Sequence, residues 1–181
     1  MGSIDVASIR KRARRAYELG RVRLSLVGIL PVLLIAAVAA ALAIRPASTL
    51  VFGGVTVLLG AALLWYGRDP QKAVLPGVAA GLAPLALSLC ASRVHACGAS
   101  GCGTLCVPAC ALGGVVAALA LARVVARRGA GFWFFGSASA LCLLTGAMGC
   151  ACLGYSGVIG LLVGFGVGSL PGLVRRASGS V

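Results

Sequence analysis

Between Arg128 and Arg175 the chain carries no charged residue. One helical membrane crossing takes about 20 residues, so residues 129–174 are too long for a single span. They must fold back on themselves, with a turn near residues 151–157. The same pattern recurs upstream, where residues 24–44, 46–67 and 73–92 are uncharged and short basic clusters separate them. Apolar residues make up 60% of the chain and charged residues only 10%. A soluble domain usually carries roughly a quarter of its residues as charges, so this chain holds more apolar surface than water can face. The expected fold is all-α, a polytopic membrane bundle of six transmembrane helices. Its spans are placed at about 24–44, 47–67, 73–92, 104–122, 131–151 and 157–174. A basic tail at 1–23 precedes this domain and a short tail at 175–181 follows it.

The first span has a basic flank and an Ala41-Leu42-Ala43 triplet, both features of a cleaved signal. A signal's apolar core is about 7–15 residues, and this run is longer, so it reads as a retained anchor. Pro31 falls early in the span, where a missing backbone N–H is tolerated. Pro76 and Pro84 predict a kinked third span. Trp65 and Tyr66 end the second span, and the run Phe132, Trp133, Phe134 and Phe135 opens the fifth, both positions suited to the headgroup boundary. In the sixth span Gly160, Gly164, Gly168 and Gly172 recur at every fourth residue. That spacing lines one helix face with glycine and allows close backbone approach, either to a neighbouring span or to a second copy in a homo-oligomer.

The net charge of +13 would suggest nucleic acid in a soluble protein. Here the positions of the charges matter more than their sum. Arg10, Lys11, Arg12, Arg14, Arg15, Arg21 and Arg23 lie in the tail, and Arg68 and Lys72 in the turn after the second span. Arg123, Arg127 and Arg128 follow the fourth span, and Arg175 and Arg176 follow the sixth. Six crossings put all of these on one side, leaving only Arg45 and Arg93 on the other. By the positive-inside rule both termini are cytoplasmic. No direct nucleic-acid contact is expected. The tail reads as a juxtamembrane segment on anionic lipid or as a docking helix with a mildly apolar face at Ile9, Ala13, Tyr17 and Gly20.

This topology gathers sulfur on the outer side. Cys90, Cys97, Cys102, Cys106 and Cys110, with the single histidine His95, fall in or beside the loop between the third and fourth spans, and Cys142, Cys150 and Cys152 fall toward the outer end of the fifth. Three roles fit these thiols. Structural disulfides suit an outward-facing, even set, with Cys102, Cys106 or Cys110 pairing to Cys150 or Cys152 rather than to one another. Soft-metal coordination of zinc or copper(I) would use Cys97, Cys102, Cys106 and Cys110 as thiolates, although no C-x-x-C pair is present. Plain helix packing suits Cys90 and Cys142. His95 reads as a polar loop residue.

The only acids are Asp5, Glu18 and Asp69, and all lie outside the spans. No acid–base pair, phosphate loop or buried ion-coupling charge can be assembled, and no enzymatic activity is expected. The tail sequence Ala13-Arg14-Arg15-Ala16-Tyr17-Glu18-Leu19-Gly20-Arg21, six spans, a cysteine-bearing outer loop and a glycine-rich final helix together resemble the polytopic bacterial anti-sigma factors, the NrsF- and CarR-like membrane proteins. The resemblance implies a regulator in the inner membrane. Its tail, through Arg12, Arg14, Arg15, Tyr17, Glu18 and Arg21, would sequester an extracytoplasmic-function sigma factor until a redox or metal signal releases it. Two other expectations stand beside it: a soft-metal carrier, and a structural membrane protein with no switch.

The side on which the thiols lie is directly measurable. A thiol reagent unable to cross the bilayer is expected to label reduced cysteines in intact cells. Labelling confined to inverted vesicles would reverse the topology.

Overall fold

The computed structural model describes residues 6–42, 46–66, 68–94, 102–129, 131–151 and 154–178. Among them the chain forms six α-helices: α1 Val6–Leu42, α2 Pro46–Tyr66, α3 Arg68–Val94, α4 Cys102–Arg128, α5 Phe132–Cys150 and α6 Tyr155–Ser178. Segments Ala47–Trp65, Pro70–Ala91, Val107–Arg128, Phe132–Cys150 and Tyr155–Gly172 are each long and apolar enough to span a membrane. The protein is therefore a multi-pass membrane protein. Large apolar side chains such as Leu58, Leu75 and Trp133 face outward, as lipid contact requires.

Helix boundaries follow from local chemistry. Pro46 opens α2, a position where its missing N–H would have had no intrahelical partner. Gly129, directly after α4, has φ +58°, the left-handed residue that commonly ends a helix. Gly154 at φ +75° turns the chain into α6, and its N–H donates to the Ala151 carbonyl at 3.0 Å.

Four sequence expectations change in detail. The basic tail and the first apolar run are not separate elements, because α1 continues through both for 37 residues. At 1.5 Å per residue it is about 55 Å long, against about 30 Å of hydrocarbon. Its apolar part among the described residues, Gly28–Leu42, is shorter than the other five. The segments read as turns at 68–72 and 123–128 are also helical, forming the first turn of α3 and the end of α4. Among the four aromatic residues that open α5, Phe134 turns inward and is buried with Ala73, Ala117 and Leu121. Successive helical residues are about 100° apart, so a run of four cannot all face the lipid. Phe132 and Trp133 do face outward, as an edge-to-face pair with ring centroids 6.4 Å apart. Finally, Cys90 is exposed rather than packed.

The closest helix pairs are α3 with α5 and α4 with α6. Glycine makes both possible. A Cβ on Gly81 would stand 2.7 Å from the Cys142 carbonyl oxygen of α5, and one on Gly77 2.7 Å from that of Ala138. On the other seam, Gly164 of α6 lies against the Ala111 backbone of α4, and Gly114 of α4 lies against Leu161 and Phe165 of α6. Pro84 of α3 joins the two seams, because a Cβ on Gly113 of α4 would stand 2.6 Å from its Cα and one on Gly146 of α5 2.8 Å from its Cγ. Of the two roles open to Gly160, Gly164, Gly168 and Gly172, a neighbouring span or a second copy in a homo-oligomer, the face takes the first. These glycines meet Val107, Ala111, Val115, Ala118 and Ala122 of α4, so the stripe is used within the chain.

Helix α1 runs antiparallel along α2, with Gly28 beside Leu64, Ile29 beside Gly60 and Ala36 beside Gly53. Further along, Ala39 is buried with Leu85 of α3 and Met148 of α5. Four buried hydroxyls are satisfied as a lipid environment demands, whereas Ser139 Oγ of α5 is buried without a partner among the described residues. Thr56, Ser88 and Thr145 donate to carbonyls in their own helices, whereas Thr49 Oγ1 of α2 donates across to the Met148 carbonyl of α5 at 3.1 Å.

Gly164 and Gly166 provide a matched comparison on one helix. Gly164→Ala forces a Cβ into the α4 backbone and is expected to destabilise the protein by about 1–3 kcal/mol. A Cβ on Gly166 meets nothing within 4 Å, so Gly166→Ala is expected to be neutral or to stabilise by up to about 1 kcal/mol. Denaturant unfolding of the two variants in detergent micelles measures the difference.

Candidate functional site

The chain carries few groups capable of chemistry, and they segregate to the two ends of the bundle. At one end, the C-termini of α1, α3 and α5 meet the N-termini of α2, α4 and α6. Cys110 lies in the third turn of α4 and Cys150 is the last residue of α5. Both are fully buried. Their side chains pack together in one small apolar cluster with Ala147 and Leu161, which brings the two thiols side by side. Two helices from different parts of the sequence thus bring one thiol each to the same point.

The glycine seams explain why the two meet. Gly113 and Gly114 follow Cys110 within about one turn of α4, and Gly146 and Gly149 precede Cys150 within about one turn of α5. Gly146 and Gly113 both lie on Pro84, and Gly149 lies on Leu85 and Ser88. Gly114 and Gly146 also contact Leu161, which covers the thiols. The close approach of α3, α4, α5 and α6 leaves room at this level only for small side chains, and cysteine is small and apolar enough to fit.

The other thiols divide. Cys142, two turns below Cys150, is buried among Ala73, Ala117, Ala138 and Phe165 and serves packing, as expected. Cys90, Cys110, Cys142 and Cys150 are not joined in disulfides. Cys97 and Cys152 lie outside the described residues. Cys102 and Cys106 are backbone positions in the first turns of α4, and their side chains are likewise outside the description. Among the described residues no three His, Cys, Asp or Glu side chains converge on a point that a metal ion would occupy. Of the four positions expected as soft-metal ligands, only Cys110 has a described side chain, and its neighbour is Cys150.

Two adjacent thiols can be oxidised together. Loss of two electrons and two protons to an oxidant, such as another disulfide or a quinone, would join the sulfurs in a disulfide. The thiols are buried, so the oxidant must reach them through the loop end of the bundle or act when that end opens.

The opposite end is basic. Arg12, Arg14, Arg15 and Glu18 are exposed on the projecting part of α1, while Tyr17 and Arg21 are described only as backbone positions. Arg14 Nε donates to Glu18 Oε1 at 3.1 Å, one turn away. Both partners are well exposed, and such surface pairs contribute at most about 1 kcal/mol. Their importance is geometric, since they keep a charged face ordered on a helix. At the end of α4, the Arg128 guanidinium lies 5.9 Å from the Phe134 ring centroid.

Searches against protein-family models, curated proteins and solved structures find no match for this chain.

The thiol geometry makes a specific prediction. In a chain retaining only Cys110 and Cys150, diamide is expected to form one intramolecular disulfide, detected by mass spectrometry of the digested protein. Absence of that cross-link under conditions that oxidise accessible thiols would contradict the pairing.

Proposed function

We propose that this protein is a thiol-responsive membrane regulator that acts by binding a cytoplasmic partner rather than by catalysis. The observation that carries this reading is the adjacent, buried Cys110–Cys150 pair at one end of the bundle. It stands opposite an exposed, helical, basic segment at the other.

The reading assumes six crossings, with both termini in the cytoplasm of a bacterium and the bundle in its inner membrane. A sixth crossing by α1 is supported by its course beside α2, from Gly28 at Leu64 to Ala36 at Gly53, and by the burial of Ala39 beside Met148. The cytoplasmic side is supported by the arginine-rich helix ends. The partner that the family resemblance suggests is an extracytoplasmic-function sigma factor, held by α1 through Arg12, Arg14, Arg15 and Glu18.

Signal and output are linked through α5. A disulfide would hold the two sulfurs closer than unbonded thiols sit, so oxidation draws the end of α5 toward α4. Met148, two residues before Cys150, is buried against Ala39 of α1 and accepts the Thr49 hydrogen bond from α2. Movement there is felt directly by α1 and α2. Because α1 is helical from Val6 to Leu42, displacement at Ala39 is carried past Pro31 to its basic half, where Pro31 can act as the pivot. Pro108 lies two residues before Cys110 and removes one backbone hydrogen bond from that part of α4, which eases local movement. The oxidised and reduced bundles must differ in their affinity for the partner, because a signal shifts an equilibrium only by its differential interaction with two states.

Affinity capture with a co-expressed sigma factor tests the proposal. The full chain is expected to retain the factor, and removal of residues 1–20 is expected to reduce capture at least tenfold, equivalent to about 1.4 kcal/mol. Diamide is expected to change capture by the full chain but not by Cys110→Ala. Retention by the truncated chain would exclude the docking role of α1. An undiminished response to diamide in Cys110→Ala would exclude the thiol pair as sensor.

A further inference from the structure

Where α4 and α6 approach the basic end of the bundle their seam opens, leaving a groove of about 470 Å³ closed on one side by Phe135 of α5. The walls are apolar, with Leu119 and Ala126 on one side and Pro171 and Gly172 on the other. Two lining residues are polar. Ser169 already donates its hydroxyl to the Gly166 carbonyl at 2.8 Å. Arg123 is exposed and is the one charged residue among those described in the lining.

The level of the groove matters. Arg123 lies near the end of the membrane-spanning segment Val107–Arg128, and Leu119 lies one turn deeper. A molecule seated here would meet hydrocarbon walls first and then a guanidinium at the headgroup boundary. Arg127, one turn further along α4, is also exposed. The ion pair found among the described residues, Arg14–Glu18, is on α1 and does not involve either arginine. Arg123 is thus presented toward the boundary at the mouth of an apolar groove.

We infer that this groove binds an anionic phospholipid, with one acyl chain along Leu119 and Phe135 and the phosphate on Arg123. The match is of charge and of amphipathic order: a lipid presents an apolar chain below an anionic head, and the groove presents apolar walls below a cation. A guanidinium recognises phosphate through several parallel hydrogen bonds. Basic pockets between helices on the cytoplasmic side of a membrane are sites of this chemistry. The site is at the other end of the bundle from the thiol pair and does not depend on the regulatory reading.

The test uses the full chain in bilayer nanodiscs of equal phosphatidylglycerol and phosphatidylcholine, with native mass spectrometry counting the lipids retained after release. Phosphatidylglycerol is expected to be enriched on the wild type. Arg123→Gln is expected to reduce that enrichment about fivefold, the factor corresponding to one basic contact at the surface, while Arg123→Lys keeps most of it. Ala126→Trp, an exposed position filled by a large side chain, is expected to lower retention of both lipids. Lys72→Gln, which removes the same charge from α3 outside the groove lining, is expected to leave the enrichment unchanged. Equal retention of the two lipids by the wild type would overturn the inference. So would no change in Arg123→Gln, an equal loss in Lys72→Gln, or full retention in Ala126→Trp.

Discussion

In a membrane the hydrophobic effect does not drive one helix onto another, because lipid tails are as apolar as the side chains they replace. Cohesion must come from dispersion and from hydrogen bonds, and dispersion falls off steeply with distance. This protein meets the requirement by removing side chains at the contacts. Pro84 is held between Gly113 and Gly146, Gly81 meets the α5 backbone, and Gly164 meets that of α4. Four helices are thereby drawn to backbone distance around one proline. The remaining two, α1 and α2, join the assembly through looser side-chain contacts and the interhelical hydrogen bond from Thr49.

That division gives the thiol pair its setting. Cys110 and Cys150 lie at the outer limit of the tight region, just beyond the glycines that create it. Deeper in the bundle, where Cys142 is buried, a thiol meets only apolar neighbours and contributes packing. At the limit, two thiols meet each other. Met148 stands between the tight region and the looser pair, so a small adjustment of α5 acts on the part of the structure least able to resist it. Close packing makes such adjustments discrete rather than gradual, since well-filled interfaces do not deform continuously.

Much of this form was legible in the residues. Uncharged runs and basic clusters marked the apolar segments that form long helices, because the cost of burying a charge in hydrocarbon leaves few alternatives, although α1 begins at Val6 and α4 continues to Arg128. The sixth-span glycines announced a close contact, and the partner is α4. Less legible was the continuity of α1, where charge density changes at Leu24 although backbone conformation does not. The other seam also carried a signal, since Gly77 and Gly81 are spaced four apart, as are the glycines of α6. The Cys110–Cys150 meeting was open to sequence only as one pairing among several. Which thiols meet depends on how α4 and α5 turn about their axes, and that is fixed by Gly113, Gly114 and Gly146 against Pro84 and Leu161. Phe134 makes the same point, because an aromatic run marks the boundary but only packing decides which ring turns inward.

The two ends of the bundle differ in what they can sense and what they can hold. Sulfur is gathered at one end, where chemistry centres on electron exchange or soft ligands. The other end carries arginine on α1, α4 and α6 and can hold anions, whether on a protein surface or on a lipid head. The intervening hydrocarbon level has no ionisable group other than buried thiol to relay a proton or a charge. Communication between the ends must therefore be mechanical, carried by whole helices. Among them α1 is distinctive, because it begins in the basic segment, continues without interruption along α2, and is buried at Ala39 beside the residue next but one to Cys150. Any coupling between sulfur and arginine in this protein has its shortest continuous route along that helix.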